Sequence, residues 1–201
     1  MNKIQFLICH HLGGVGNNSL ADTSNQTFED VNAWHRDARD PDGGFKYHYG
    51  QPSSLGYFLA YHYFISKQGV VKQARADNEV GYHTIGYNDK SIGICLAGNF
   101  DVTIPTWEQT LSLKSLLTQK IIQYGIKSEK VVPHRFASSK SCYGQKLTDS
   151  WARDLVKDNV GQYVSLLSQL VFHLKFYLQK LQYGKLGSVG EKECEGIYQL
   201  T

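Results

Sequence analysis

The sequence lacks the features that mark membrane, secreted and nucleic-acid-binding proteins. No apolar run approaches the ~18–20 residues of a bilayer span, and residues 1–9 lack the basic stretch and small-residue cleavage site of a signal peptide. The 21 basic and 18 acidic side chains leave a net charge of only +3, and Lys and Arg form no run longer than two. These absences predict a chain made in the cytoplasm without a signal peptide, with no membrane insertion and no nucleic-acid partner.

Cysteine is scarce, and its spacing excludes two further classes. Cys9, Cys95, Cys142 and Cys194 lie far apart without a CxxC pair, so neither a disulfide framework nor a zinc ribbon is indicated. A chain of 201 residues is one domain, or one domain with an appendage, and buries roughly 70% of its unfolded surface. It needs no metal to hold its core together, so a bound metal is expected to serve function.

Two common hydrolase motifs are also missing. The sequence contains no GxSxG and no HExxH, so a serine hydrolase or a zincin lacks support. Residues 13–19 are rich in glycine and follow an apolar run, but no Gly-Lys-Ser/Thr completes a phosphate loop. We interpret this segment as a mobile rim.

Apolar runs and helical periodicities alternate along the chain. Strands are predicted at residues 3–9, 57–66, 69–73 and 91–97. Helices are predicted at residues 27–38, 106–125 and 148–156. Residues 39–56 have no steady period and form a predicted long loop, of the kind that is usually functional or mobile. This order predicts an α/β or α+β fold with a central mixed β-sheet flanked by helices.

The last part of the chain differs in character. From Val160 to Leu181 apolar residues recur at alternating gaps of four and three, which predicts an amphipathic heptad helix over 160–183. We therefore expect a first domain at residues 1–157 and a helical appendage with a tail at 158–201. The apolar face must be covered, either by its own domain or by another copy in a homo-oligomer formed through residues 160–181.

Histidine, with eight residues, is in mild excess and supplies the candidate site. His10 and His11 directly follow the first strand, and His134 lies eight residues before Cys142 in a loop. A histidine pair after a strand is more often structural, but imidazole and thiolate together are typical zinc ligands. Three such ligands would leave the fourth tetrahedral position open, as in a catalytic zinc site.

The order of the surrounding motifs makes the indication stronger. The chain resembles the N-acetylmuramoyl-L-alanine amidase type 2 family, which includes peptidoglycan recognition proteins and small phage amidases. The matching pieces occur in the family's order and span residues 3 to 155: FLICHH at 6–11, AWH at 33–35, AYHYFISKQG at 60–69, VGYHTIGYNDKSIGICLAGNFD at 80–101 and PHRFASSKSC at 133–142.

The resemblance implies a role for each matching residue. The zinc ligands would be His10, His134 and Cys142. His11 would support a ligand or serve a structural role. The catalytic pair would be Tyr61 and Lys140, although Ala60 replaces the glycine usual before the tyrosine. The substrate groove would include His35, His83 and Asn88.

The resemblance implies a Zn²⁺-dependent hydrolase that cuts the amide between the lactyl group of N-acetylmuramic acid and L-alanine of the stem peptide. We expect a bacteriolytic phage endolysin that is made in the host cytoplasm and acts on peptidoglycan at the cell wall after release. The C-terminal helix would then oligomerise the chain or target it to the wall. Two alternatives remain: a non-catalytic peptidoglycan-binding module of the same fold, and a virion or structural protein that uses the helix for assembly.

Overall fold

The computed structural model describes residues 3–38 and 51–157, and from a later helix residues 170, 171, 173–175 and 178. The chain divides into two units, Met1–Val160 and Gly161–Thr201. Most of the predicted loop at 39–56 and nearly all of the predicted heptad helix lie outside the described residues. The boundary after residue 157, the oligomer through residues 160–181 and the role of the loop therefore stay predictions.

Five strands form one mixed sheet, which confirms the predicted class. Their order across the sheet is β3-β2-β4-β1-β5, and β3 is antiparallel to β2 while the other pairs are parallel. The bounds are β1 Phe6–His11, β2 Tyr63–Ile65, β3 Val71–Gln73, β4 Ser91–Leu96 and β5 Val131–Pro133. The first strand thus lies inside the sheet, between β4 and β5.

Within residues 3–38 and 51–157, three α-helices accompany the sheet: α1 Phe28–Asp37, α2 Trp107–Tyr124 and α3 Trp151–Asp154. Thr27 and Thr106 begin α1 and α2 with capping boxes, in which side chain and backbone satisfy each other's hydrogen bonds. Gly125 ends α2 in the left-handed conformation, with φ of 62°. No helix within the described ranges is long and apolar enough to cross a bilayer.

The sheet separates two apolar clusters, and β1 contributes side chains to the larger one. Leu7 and Cys9 pack in the larger cluster with α2 and α3, whereas Phe64 and Cys95 pack with α1 on the other side. Because successive side chains of a strand point to opposite faces, neighbouring residues of β1 must separate in the same way.

The sequence-based element bounds needed several corrections. β2 and β3 are only three residues long, β1 extends to His11, and α3 covers four residues. β5 was not predicted, because its three residues are too few to show a period. Leu111 of α2 is apolar but 47% exposed, since at 100° per residue it lies opposite the buried Leu113.

Candidate metal centre

The structure brings His10, His134 and Cys142 together. One nitrogen of each imidazole and the Cys142 sulfur all lie within 4.8 Å of one another. The Cys142 Sγ lies 3.6 Å from Nδ1 of His10, and the centroids of the two imidazole rings are 4.6 Å apart. Residues more than 120 positions apart in the chain thus form one cluster.

Strand pairing places the two histidines side by side. His10 is near the carboxyl end of β1, and His134 begins a 3₁₀ turn directly after β5. In the parallel pairing of these strands, Cys9 is opposite Pro133, so the next residue on each strand is one of the two histidines. The unpredicted strand β5 is therefore the element that delivers the second histidine.

Arg135 holds the loop that carries Cys142. Its backbone N–H donates to the carbonyl of Cys142 at 2.6 Å. Its guanidinium donates to the carbonyls of Gly144 and Leu147 at 2.7 and 2.6 Å and pairs with Asp149. The loop between His134 and Cys142 is thus closed by bonds within the protein.

Burial determines the protonation of the three groups. It lowers the pKa of His10 well below its usual value, with a smaller contribution from His83. It also lowers the pKa of His134, to which Lys140 adds. Burial raises the pKa of the Cys142 thiol to about 12. Without a cation the cluster therefore holds neutral imidazoles and a neutral thiol.

A cavity of about 420 Å³ opens beside the cluster. Its walls include Tyr61, His83, Thr84, Asn88, His134 and Lys140. The ring of Tyr61 lies 5.0 Å from the ring of His10, and Lys140 is exposed. The two residues predicted to be catalytic thus meet the candidate ligands at one cavity.

Two of the three predicted groove residues line the cavity. Asn88 accepts hydrogen bonds from the backbone N–H groups of His83 and Thr84 at 2.8 and 2.7 Å, so it also closes the turn that carries them. His35 does not line the cavity. Its Nδ1 accepts from the backbone N–H of Ala60 at 3.1 Å, and its ring contacts Tyr61.

His11 lies away from the cavity, where it supports the site through backbone contacts. Its Nδ1 accepts the backbone N–H of Phe100 at 2.8 Å, and its carbonyl lies 3.9 Å from the Cys142 Sγ. The sequence did not identify Arg135, Thr84 or Ser91, although all three stand inside the matching motifs. Their contacts to the site depend on tertiary structure, so the sequence carried no signal for them.

Comparison with known proteins finds a matching family and related sequences. Residues 1–145 match the family model described as N-acetylmuramoyl-L-alanine amidase. The endolysin of Escherichia phage T7 is 33% identical over 110 residues, which cover 51% of this chain and 71% of that protein. Peptidoglycan-recognition protein SC2 of Drosophila melanogaster is 27% identical over 148 residues, which cover 73% of this chain and 71% of that protein.

Solved structures share the fold at lower identity. The N-acetylmuramoyl-L-alanine amidase LysC from Clostridium intestinale URNW superposes with a TM-score of 0.58 at 22% identity, covering 76% of this chain and 84% of that one. Drosophila PGRP-LB superposes with a TM-score of 0.54 at 21% identity, covering 73% and 78%. The match over residues 1–145 establishes that the chain belongs to the N-acetylmuramoyl-L-alanine amidase family.

Proposed function

We propose that this chain is a zinc-dependent peptidoglycan amidase of the endolysin kind. It would hydrolyse the amide between the lactyl group of N-acetylmuramic acid and L-alanine of the stem peptide. The observation that carries the proposal is the meeting of His10, His134 and Cys142 within 4.8 Å of one another beside an open cavity. The endolysin relatives support action at the bacterial cell wall.

The donor set fits zinc. Two imidazoles and a thiolate are preferred zinc ligands, and three protein ligands leave one position for substrate or water. His10 would bind through Nδ1, the nitrogen that faces Cys142. When bound, zinc supplies Lewis-acid polarisation of the scissile carbonyl and a nucleophile at neutral pH. The cation would also displace the thiol proton, because thiolate is the form of cysteine that binds metals.

Lys140 and Tyr61 would act on the charges and protons of the reaction. Attack on the amide carbon places negative charge on its oxygen, and the Lys140 ammonium at the cavity wall would stabilise that charge. The Tyr61 ring is held between the rings of His10 and His35, so its position on the wall is fixed. Both residues can donate a proton to the leaving amine.

The cavity would accept the stem peptide and the lactyl group. Its volume of about 420 Å³ suits a short peptide segment better than a folded partner. Contacts of the substrate with His35, His83 and Asn88 remain predictions from the family resemblance. The net charge of +3 favours approach to an anionic wall.

The decisive experiment compares purified wild-type protein with Cys142→Ser on isolated cell walls. We expect wild type to release stem peptides with a free N-terminal L-alanine, and we expect this release to stop when zinc is chelated. Cys142→Ser should lose several kcal/mol of transition-state stabilisation, which is about 10³-fold in rate or more. Cys9→Ala is the matched control, because Cys9 is buried nearby in β1 without belonging to the cluster.

The outcomes separate the alternatives. Release of stem peptides with a free N-terminal L-alanine that persists without metal, or in Cys142→Ser, would contradict the proposal. Wild-type protein that binds cell walls but releases no such peptides would instead support a binding module. Binding measured by sedimentation with the walls is therefore recorded together with product release.

A further inference from the structure

The imidazole of His83 is buried and packs closely against the sheet. Its ring contacts the His62 ring at 5.7 Å between centroids. A methyl group added at Gly93 would lie 2.5 Å from His83 Cγ, and one added at Gly81 would lie 2.7 Å from His83 Cδ2. The imidazole of His83 therefore has space only because these two residues are glycines. A larger residue at either position would displace it.

Both ring nitrogens of His83 already have partners inside the protein. Its Nδ1 lies 3.1 Å from Nε2 of His10 and 2.9 Å from Oγ1 of Thr84. Its Nε2 lies 3.4 Å from Oγ of Ser91. A histidine with both nitrogens engaged is poorly suited to bind a substrate, although the edge of its ring reaches the cavity wall.

The Ser91 hydroxyl determines which atoms donate and which accept in the hydrogen bonds that connect Ser91, His83 and His10. The Ser91 hydroxyl lies 2.7 Å from the carbonyl of Tyr87, which can only accept, so Ser91 donates to it. The Ser91 oxygen then accepts from Nε2–H of His83. A neutral imidazole carries one proton, so Nδ1 of His83 is left as the acceptor for Nε2–H of His10.

This direction fixes the tautomer of His10. If Nε2 of His10 carries the proton, Nδ1 keeps a free lone pair, and Nδ1 is the atom 3.6 Å from Cys142 Sγ. The opposite direction would put the proton on Nδ1 and block it as a ligand. Thr84 Oγ1, 3.5 Å from Nε2 of His10, can also accept from it.

We propose that His83 is a positioning residue for the metal site, which, with Ser91 and the Tyr87 carbonyl, holds His10 in the tautomer that binds zinc through Nδ1. The proposal rests on the proposed zinc site and reassigns His83 from the substrate groove. Partners of this kind orient ligating histidines, and their loss costs about 10–100-fold in metal affinity.

The test measures zinc affinity by competition with a coloured chelator. It compares His83→Leu with His83→Asn, because the two new side chains have similar shapes. His83→Leu removes the acceptor, whereas His83→Asn keeps an amide oxygen near the position of Nδ1. We expect zinc to bind about 10–100-fold more weakly to His83→Leu. His83→Asn should recover most of the affinity. The visible spectrum of the cobalt-loaded protein should show a distorted site in His83→Leu only.

Ser91→Ala gives a second approach that removes only one hydroxyl. Ser91→Ala should also weaken zinc binding, but by a smaller factor of about 2–10-fold. The variant lacks the hydroxyl that accepts from Nε2–H of His83, but it keeps Nδ1 of His83 as the acceptor for His10. Thermal unfolding without metal records whether each variant is folded. If His83→Leu does not fold, Ser91→Ala and His83→Asn still decide the question.

The results that overturn the inference are distinct from those that overturn the site. Wild-type affinity in His83→Leu and Ser91→Ala, or equal weakening in His83→Leu and His83→Asn, would show that no acceptor is needed. A wild-type protein that binds no zinc, or whose affinity is unchanged by Cys142→Ser, would overturn the proposed metal site itself. That control is measured first, so the two failures cannot be confused.

Discussion

Two buried polar clusters occupy different parts of the fold, and they differ in whether their charged and polar groups are neutralised by other protein groups. In what we term the Asp77 network, Lys120 Nζ lies 2.6 Å from an Asp77 carboxylate oxygen, and the hydroxyls of Tyr63 and Tyr124 donate to the same carboxylate at 2.6 and 2.7 Å. The histidine–cysteine cluster, formed by His10, His83, His134 and Cys142, has no carboxylate among the described hydrogen-bond partners of its members.

The difference shows in which cluster the buried charge is already balanced by protein groups. Burial raises the pKa of Asp77, but hydrogen bonds from Lys120, Tyr63 and Tyr124 outweigh it, and the pKa falls below its usual value. The charges therefore balance inside the protein, and the network connects α2 to the segment after β3. In the histidine–cysteine cluster lone pairs converge without a positive charge among them. Only the second cluster gains from a cation.

The largest expected effect comes from breaking the Asp77 network. Lys120→Met leaves a carboxylate that is only 13% exposed without its cation, so we expect a loss of about 3–5 kcal/mol in the free energy of unfolding. Zinc affinity should not change. Urea unfolding monitored by circular dichroism measures the loss.

Lys72→Met is the matched control for that substitution. Lys72 pairs with Glu29 at the surface, where the side chains are 37% and 71% exposed, and exposed pairs contribute at most about 1 kcal/mol. If Lys120→Met cost no more than Lys72→Met, the Asp77 network would not be the structural cluster that we describe.

The next effect should appear in activity and not in stability. Lys140→Met removes an exposed ammonium from the cavity wall, and we expect the rate of stem-peptide release to fall about 10²–10³-fold. The free energy of unfolding should change by less than about 0.5 kcal/mol, as for other exposed positions. Lys127→Met, at an exposed position that does not line the cavity, is the control. A stable Lys140→Met protein with full activity would remove Lys140 from the proposed mechanism.

The smallest expected effect is on the pH dependence of the free energy of unfolding, to which buried histidines and the Asp77 network contribute differently. Burial, with Arg75 nearby, lowers the pKa of His35 to about 4. Between pH 6.5 and 4 the unfolded chain binds a proton at this residue and the folded chain does not, so stability falls as the pH is lowered. The slope is at most about 1.4 kcal/mol per pH unit for each such histidine.

His35→Gln should reduce that slope, measured by urea unfolding at several pH values in excess chelator. The Asp77 network contributes little in the upper part of this window, because its carboxyl has a pKa below 3.8 in the folded chain and its slope appears below about pH 5. An unchanged slope in His35→Gln would contradict the assignment of a buried neutral imidazole.

The sequence predicted the mixed sheet and the main helices because long apolar periods and capping residues are local signals. It also supplied His10, His134 and Cys142, through motifs that resemble a family. It did not predict β5, whose three residues form a strand only by pairing with β1. The separation of His10 from His11 follows from strand alternation, but which of the two faces the cavity depends on the packing of α1 and α2.

The hydrogen-bond partners of His83 could not be predicted from the sequence. Its motif placed it at the substrate groove, and its ring does reach the cavity wall. Its nitrogens, however, contact His10, 73 residues away, and Ser91, which belongs to the next strand. Hydrogen-bond partners that come from different elements cannot be derived from the residues beside a histidine in the chain.

The guanidinium of Arg135 has a consequence for how the protein would acquire its metal. Because the Arg135 backbone N–H donates to the Cys142 carbonyl and its guanidinium donates to the Ser141 carbonyl, two of the proposed ligands are held together by bonds within the protein. In zinc fingers, by contrast, metal binding must also order the chain. Loss and reloading of the proposed zinc would then be a ligand-exchange process that leaves the backbone folded, so the protein would regain its metal without passing through an unfolded state.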